Sequence, residues 1–205
     1  MIIFDFDGTL ADTISLGITL INSHSEVFKY KKIDREKNEH LSAFELMKYM
    51  EVKVWKFPYL IWYLRKKLGE RTAEIQIFPG IKELLESLKK AGYQLGILTS
   101  NSSATVYDFL KRNDIESYFS FIKTKVPPFG KKTALAKARR LLKTDFVYVG
   151  DELRDVEACR KNNIPLVSVS WGFNSAASLE KVNPGMVATT AQEAEALICK
   201  TVESL

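Results

Sequence analysis

The strongest constraint on the fold is a repeated alternation of short apolar runs, each ending at a polar or acidic cluster, with stretches that carry the apolar spacing of a helix. Residues 2–4 (Ile-Ile-Phe) stop at Asp5. After the break at Pro79-Gly80, Ile81, Leu84, Leu85 and Leu88 fall at i, i+3, i+4 and i+7, the stripe of an amphipathic helix. Lys89 and Lys90 in its last turn suit the helix dipole, and Ala91-Gly92 ends it. The rhythm then repeats: a strand over 95–98, a polar cluster over 99–103 and a helix over 104–112; a weak strand at 121–122 and a helix over 131–142. A strand over 146–149 ends at Gly150-Asp151 and precedes a helix over 155–162, and a strand over 166–169 ends at the loop 171–175. Strands alternating with helices imply right-handed crossovers and a parallel sheet covered on both faces. The expected class is α/β, a Rossmann-like parallel sheet with helices on both faces. In such sheets ligands bind beyond the carboxyl ends of the strands. The clusters after Phe4, Leu98 and Val149 all fall on that edge.

Residues 14–77 break the rhythm. They carry helical spacing (Ile14, Ile18, Ile21), a charged run over 29–40 and an aromatic stretch, Trp55, Phe57, Tyr59, Trp62 and Tyr63. The simplest division places a core in 1–13 and 78–205 and a helical insertion in 14–77, beside the active edge. Aromatic stripes mostly bury area, so the stretch is expected to form the core of the insertion. His24 and His40 lie there without partners at metal-ligand spacing and read as surface or packing residues.

With 205 residues, 46% hydrophobic and 27% charged, the chain suits one soluble domain carrying a modest insertion. The net charge of +5 is not gathered into a basic stripe, so no nucleic-acid partner is expected. Cys159 and Cys199 offer neither a disulfide framework nor metal spacing. Met1 runs straight into the first strand with no signal-like segment, and no apolar run approaches the ~20 residues of a membrane span. A cytoplasmic location is expected.

Four clusters can carry chemistry. Asp5 and Asp7, one residue apart at a strand end, repel each other unless a divalent cation binds or the two carboxyls do different work. One can attack phosphorus, and the other can protonate the leaving oxygen and then activate water. Gly8 allows the sharp turn behind them. Thr99, Ser100 and Asn101 offer a hydroxyl and N–H groups for a phosphoryl oxygen, or simply cap a helix. Lys131 and Lys132 open a helix, where the dipole disfavours a cation. Offsetting the repulsion between a carboxylate and a phosphate dianion is a reason for one of them to be there. In 150–155, Asp151 leads as a ligand in an oxygen-only shell, with Glu152 and Asp155 behind it. The loop Trp171-Gly172-Phe173-Asn174 follows a strand at the same edge, where it can line the pocket.

In this order the four clusters resemble the haloacid dehalogenase superfamily of phosphotransferases, with Phe78-Pro79-Gly80-Ile81 and residues 148–163 most similar to phosphoglycolate-phosphatase-type members. The resemblance implies Asp5 as nucleophile, Asp7 as acid/base and Thr99 as phosphate-binding hydroxyl. It also implies Lys131, ahead of Lys132, as the neutralising cation. It places Mg²⁺ on Asp5, the Asp7 backbone carbonyl and Asp151, and makes 14–77 a helical cap. Asp7 sets the chain apart from relatives that cleave carbon–halogen bonds, which lack the second aspartate. The expected activity is Mg²⁺-dependent hydrolysis of a small phosphorylated metabolite (phosphoglycolate, a sugar phosphate or a nucleotide) through an aspartyl-phosphate. The alternatives are a phosphosugar mutase and a non-catalytic binding module.

Overall fold

The structure is a computed structural model and describes residues 1–38, 41, 43–127 and 130–205. In chain order it comprises β1 (Ile2–Phe4), then helices α1 (Thr13–Ser23), α2 (Ser25–Phe28), α3 (Arg35–Asn38), α4 (Ala43–Tyr49), α5 (Phe57–Glu70) and α6 (Ile81–Lys90). Next come β2 (Leu95–Leu98), α7 (Ser103–Arg112), β3 (Phe119–Lys123), α8 (Lys131–Leu142), β4 (Val147–Gly150), α9 (Leu153–Arg160), β5 (Leu166–Val169), α10 (Ala176–Glu180), β6 (Val187–Ala188) and α11 (Ala191–Glu203). The six strands form one parallel sheet in the order β3-β2-β1-β4-β5-β6. The α/β class expected from the alternation is the class observed.

Alternate strand residues enter two different cores, as the period of two requires. Ile2, Phe4, Leu95, Ile97, Val147, Val149, Val167 and Val169 pack with residues of α6, α7 and α11. Ile3, Leu98, Tyr148 and Leu166 pack with Leu135 and Ala138 of α8 and with Val156 and Cys159 of α9. Because both faces are covered, the strands are nearly continuous apolar runs. β6 and α11 escaped the sequence reading, since a two-residue strand shows no periodicity of its own. In register, Phe4 lies between Ile97 of β2 and Val149 of β4, so β1, β2 and β4 finish side by side.

Between Thr13 and Glu74 the described residues form helices and no strand. The chain leaves and returns at one place: Ala11 bridges Ile77 antiparallel, Asp12 N donates to Gln76 O at 2.8 Å, and Phe78 N donates to Leu10 O at 3.2 Å. Ile33, Met50 and Leu60 form a small separate core in this segment. The aromatic stretch does not supply that core, contrary to expectation. Trp55, Tyr59 and Trp62 are 72%, 52% and 55% exposed. On α5 the inward stripe is Leu60, Leu64 and Leu68, so 59 and 62 fall on the opposite face. Tyr63 is turned inward enough to bond His24, its Oη lying 2.6 Å from Nε2. His40 lies outside the described residues.

Candidate active site

β1 ends at Phe4, and Asp5 N still donates to Val149 O at 2.8 Å, so the sheet holds the backbone beneath the first carboxylate. The chain then turns on Gly8 at φ +74°, a conformation that disfavours a side chain, and a Cβ there would overlap the Asp151 carboxylate. Asp5 is buried, as are Asp151, at the end of β4, and Asp155, in the first turn of α9. One carboxylate oxygen from each lies within 4.8 Å of the others.

Lys131, the first residue of α8, is 7% exposed and reaches this trio. Its Nζ lies 2.5 Å from Asp5 Oδ2 and 2.5 Å from Asp155 Oδ1. The ammonium also sits 5.5 Å from the ring centroid of Tyr148, whose Oη donates to Leu98 O at 3.1 Å. Lys132 is exposed, so of the two lysines it is Lys131 that enters the acidic centre. An unfavourable cation at a helix start is here placed by two buried carboxylates.

Asp7 faces the other way. Its Oδ1 accepts from Asn101 Nδ2 at 2.8 Å, and its Oδ2 accepts from Thr99 Oγ1 at 3.4 Å. Asn101 N donates to Thr99 Oγ1 at 3.0 Å, which ties the second cluster together. Helix α7 is capped by Ser102, whose Oγ accepts from Thr105 N, so Thr99 and Asn101 are not its cap. Ser100 makes no side-chain hydrogen bond among the described residues. Asp151 accepts from Thr9 Oγ1 at 3.1 Å and from Phe173 N at 2.7 Å. Glu152 pairs with Arg154, and its backbone N donates to Asp155 Oδ2 at 3.2 Å.

Burial raises the Asp5 carboxyl from the ordinary 3.8 to about 7, against the opposing pull of Lys131. Burial, with Glu152, Asp5 and Asp155 nearby, pushes Asp151 well above the usual carboxylate range. Lys131 moves upward: burial opposes its charge, but Asp155 and Asp5 outweigh it. Once ionised, three buried carboxyls against one ammonium carry an excess of negative charge. An oxygen-only donor set with such an excess fits a hard divalent cation.

A small cleft of about 20 Å³ lies between the helical segment and the loop after β5, lined by Ile14, Ile18, Ile33, Asn38, Leu46, Gly172 and Phe173. A larger cavity of about 350 Å³ lies wholly within the helical segment, among Lys29, Tyr30, Lys53, Lys56 and Tyr59. It is lined by none of Asp5, Asp7, Asp151 and Asp155.

The sequence reading assigned no role to Tyr148 and left the loop 171–174 open. A tyrosine within an otherwise aliphatic buried strand was the available signal for the first. For the second it was a glycine between two aromatics: a Cβ at Gly172 would overlap the Asp151 carboxylate and the Gly8 carbonyl.

Residues 2–169 match the haloacid dehalogenase-like hydrolase family. A phosphoglycolate phosphatase of Synechococcus elongatus is 36% identical over 195 residues, covering 92% of each chain. The pyrophosphatase PpaX of Bacillus mycoides is 27% identical over 199 residues, covering 91% of this chain and 90% of its own. Among solved structures, one described as a predicted phosphatase from Clostridium acetobutylicum superimposes with a TM-score of 0.80. It covers 100% of this chain and 98% of its own at 22% identity, a likeness of fold.

Proposed function

The chain belongs to the haloacid dehalogenase-like hydrolases as a phosphoric monoester hydrolase, and on that premise we propose that it removes phosphate from a small phosphomonoester, phosphoglycolate first among them, with Mg²⁺ bound. The observation that carries this reading is the buried trio Asp5, Asp151 and Asp155, with the Lys131 ammonium 2.5 Å from Asp5.

Asp5 is the nucleophile. Its Oδ1 is occupied by Phe6 N at 2.8 Å and its Oδ2 by Lys131, which orients the carboxylate at the strand end. Attack on phosphorus forms an Asp5 acyl phosphate and expels the alcohol, which takes its proton from Asp7. Asp7, now ionised, accepts a proton from the water that attacks the acyl phosphate, and Asp5 and inorganic phosphate are released. Thr99 and Asn101, on the Asp7 side, with Ser100 between them, offer donors to the phosphoryl oxygens. Lys131 supplies the fixed positive charge for the developing dianion. Asp5, the Asp7 backbone carbonyl and Asp151 would hold the magnesium ion, which adds electrostatic stabilisation of the phosphoryl oxygens. Asp155 and Glu152 lie behind, Asp155 by fixing Lys131.

The segment 14–77 serves as the cap. Substrate is admitted as the cap moves from the core. Phosphoglycolate ranks ahead of pyrophosphate because the relative named for it is the more similar over an equal span. Both relatives are named as hydrolases, which favours water over a second substrate hydroxyl as the phosphoryl acceptor.

A panel of phosphoglycolate, sugar phosphates, nucleoside monophosphates and pyrophosphate, assayed with Mg²⁺ and with EDTA, tests the proposal. Phosphoglycolate is expected to give the highest kcat/KM, with no turnover in EDTA and none by Asp5→Asn. Full activity of Asp5→Asn would overturn the assignment of the nucleophile.

A further inference from the structure

The segment after β5 is tied to the acidic centre at each residue from 171 to 174. Trp171 Nε1 donates to Thr9 O at 3.0 Å, and Thr9 Oγ1 in turn donates to Asp151 Oδ1. Gly172 packs against the Asp151 side chain and the Gly8 carbonyl with no room for a Cβ. Phe173 N donates to Asp151 Oδ2 at 2.7 Å. Asn174 N donates to Asp151 O at 3.3 Å, and its Oδ1 accepts from Leu153 N, the first residue of α9, at 3.0 Å. Asp151 is thus gripped from both sides, by Thr9 on one oxygen and by this strap on the other.

We infer that the strap 171–174 sets the position of Asp151 for a divalent cation, and that Asn174 is the positioning residue that pins the strap to the start of α9. The inference rests on the reading of Asp151 as a metal ligand. Packing alone does not account for an amide at 174. Asn174 is 2% exposed, and its Nδ2 is buried with no hydrogen-bond partner among the described residues. An unsatisfied buried donor is destabilising, so a position that only filled space would favour an apolar residue. What the amide contributes is its Oδ1 on Leu153 N. With Asn174 N on the Asp151 carbonyl, that bond holds the Phe173 N–H on the line of the carboxylate. Groups that orient a ligating carboxylate in this way tune metal affinity.

Calorimetric titration with MgCl₂ of the wild-type chain, Asn174→Ala and Asn183→Ala tests this, alongside metal-free melting followed by circular dichroism. Asn183 is the matched control: its amide bonds Leu166 O, Ser168 Oγ and Met186 O, and none of these bonds reaches Asp151 or the strap. Asn174→Ala is expected to bind Mg²⁺ about 10- to 100-fold more weakly. Saturating Mg²⁺ should then restore kcat on phosphoglycolate with KM unchanged. Asn183→Ala should melt earlier and keep its Mg²⁺ affinity. If Asn174→Ala does not fold, Asn174→Gln, which keeps the amide but changes its reach, takes its place with the same expectation. Wild-type Mg²⁺ affinity in the 174 variant, or equal weakening in both variants, overturns the inference while leaving the metal reading intact. A wild-type chain that takes up no Mg²⁺ overturns both.

Discussion

At the acidic centre, groups 126 and 142 residues apart in sequence meet within hydrogen-bond distance, Lys131 on Asp5 and Thr9 on Asp151. The helical segment 13–74 packs Leu16 and Leu20 of α1 into the main core, adds a small core of its own (Ile33, Met50 and Leu60) and leaves Trp55, Tyr59 and Trp62 in solvent. The centre owes its geometry to three strand ends in register, each buried on both faces and unable to shift without disturbing two cores. The segment is joined to the core domain at the Ala11–Ile77 bridge and through Leu16 and Leu20, and among the described residues its own separate core is small. Regions of low local stability supply the parts that open and close. On the proposed function, chemistry belongs to the rigid part and admission of substrate to the looser one.

The comparison breaks first at Asp5. Asp5→Asn keeps the shape and removes the proposed nucleophile, and should cut kcat by roughly 10,000-fold or more, read by phosphate release. Lys131→Ala should be nearly as severe, because it leaves Asp5 and Asp155 facing each other without a cation. A fall in kcat of about 100- to 1,000-fold is expected, with a loss of about 3–5 kcal/mol in urea unfolding.

Acidity sharpens the contrast. Asp5 titrates at about 7 in the fold against the ordinary 3.8, and Asp151 is raised in the same direction. Between those two pH values the metal-free fold holds protons that the unfolded chain has released, so its stability should fall as pH rises from 4 to 7. Magnesium must displace those protons, so calorimetry in buffers of different ionisation enthalpy should show more proton release at pH 6 than at pH 8. Release that does not vary with pH would contradict the raised carboxyl.

On the side of the helical segment, Leu60→Ala should cost about 2–5 kcal/mol by cavity formation. Hydrogen exchange should show that loss within the segment, with β1 and β4 protected as before. Smallest of all, Trp62→Ser on the exposed face should change stability by no more than about 0.5 kcal/mol. A larger loss in a thermal melt would mean that this face is covered in solution.

Much of the centre was legible because its chemistry is local in sequence. Asp5-x-Asp7-Gly8 is a strand end, a turn and two carboxylates within four residues, and Gly150-Asp151 has the same form at β4. Lys131 was legible only to within one residue, since a helix start does not say which of two lysines faces the sheet. The burial of Asp155 beside Asp5 was not readable, nor was the turn of Thr99 and Asn101 towards Asp7, because both depend on how far each strand runs before it stops. The aromatic stretch misled for a related reason. Composition measures how much apolar surface a helix carries, but the neighbours decide which face is buried, and here leucines on α5 took the inward side.

The amino-acid sequence by itself determined the alternation, the parallel sheet it entails, and the edge where the acidic clusters gather, because period and turn chemistry act over a few residues. Tertiary structure decided which lysine enters the centre, which carboxylates share it, and that the strap after β5 grips Asp151. Those outcomes depend on strand order and register, which bring residues more than a hundred positions apart into contact and leave no local trace in the chain.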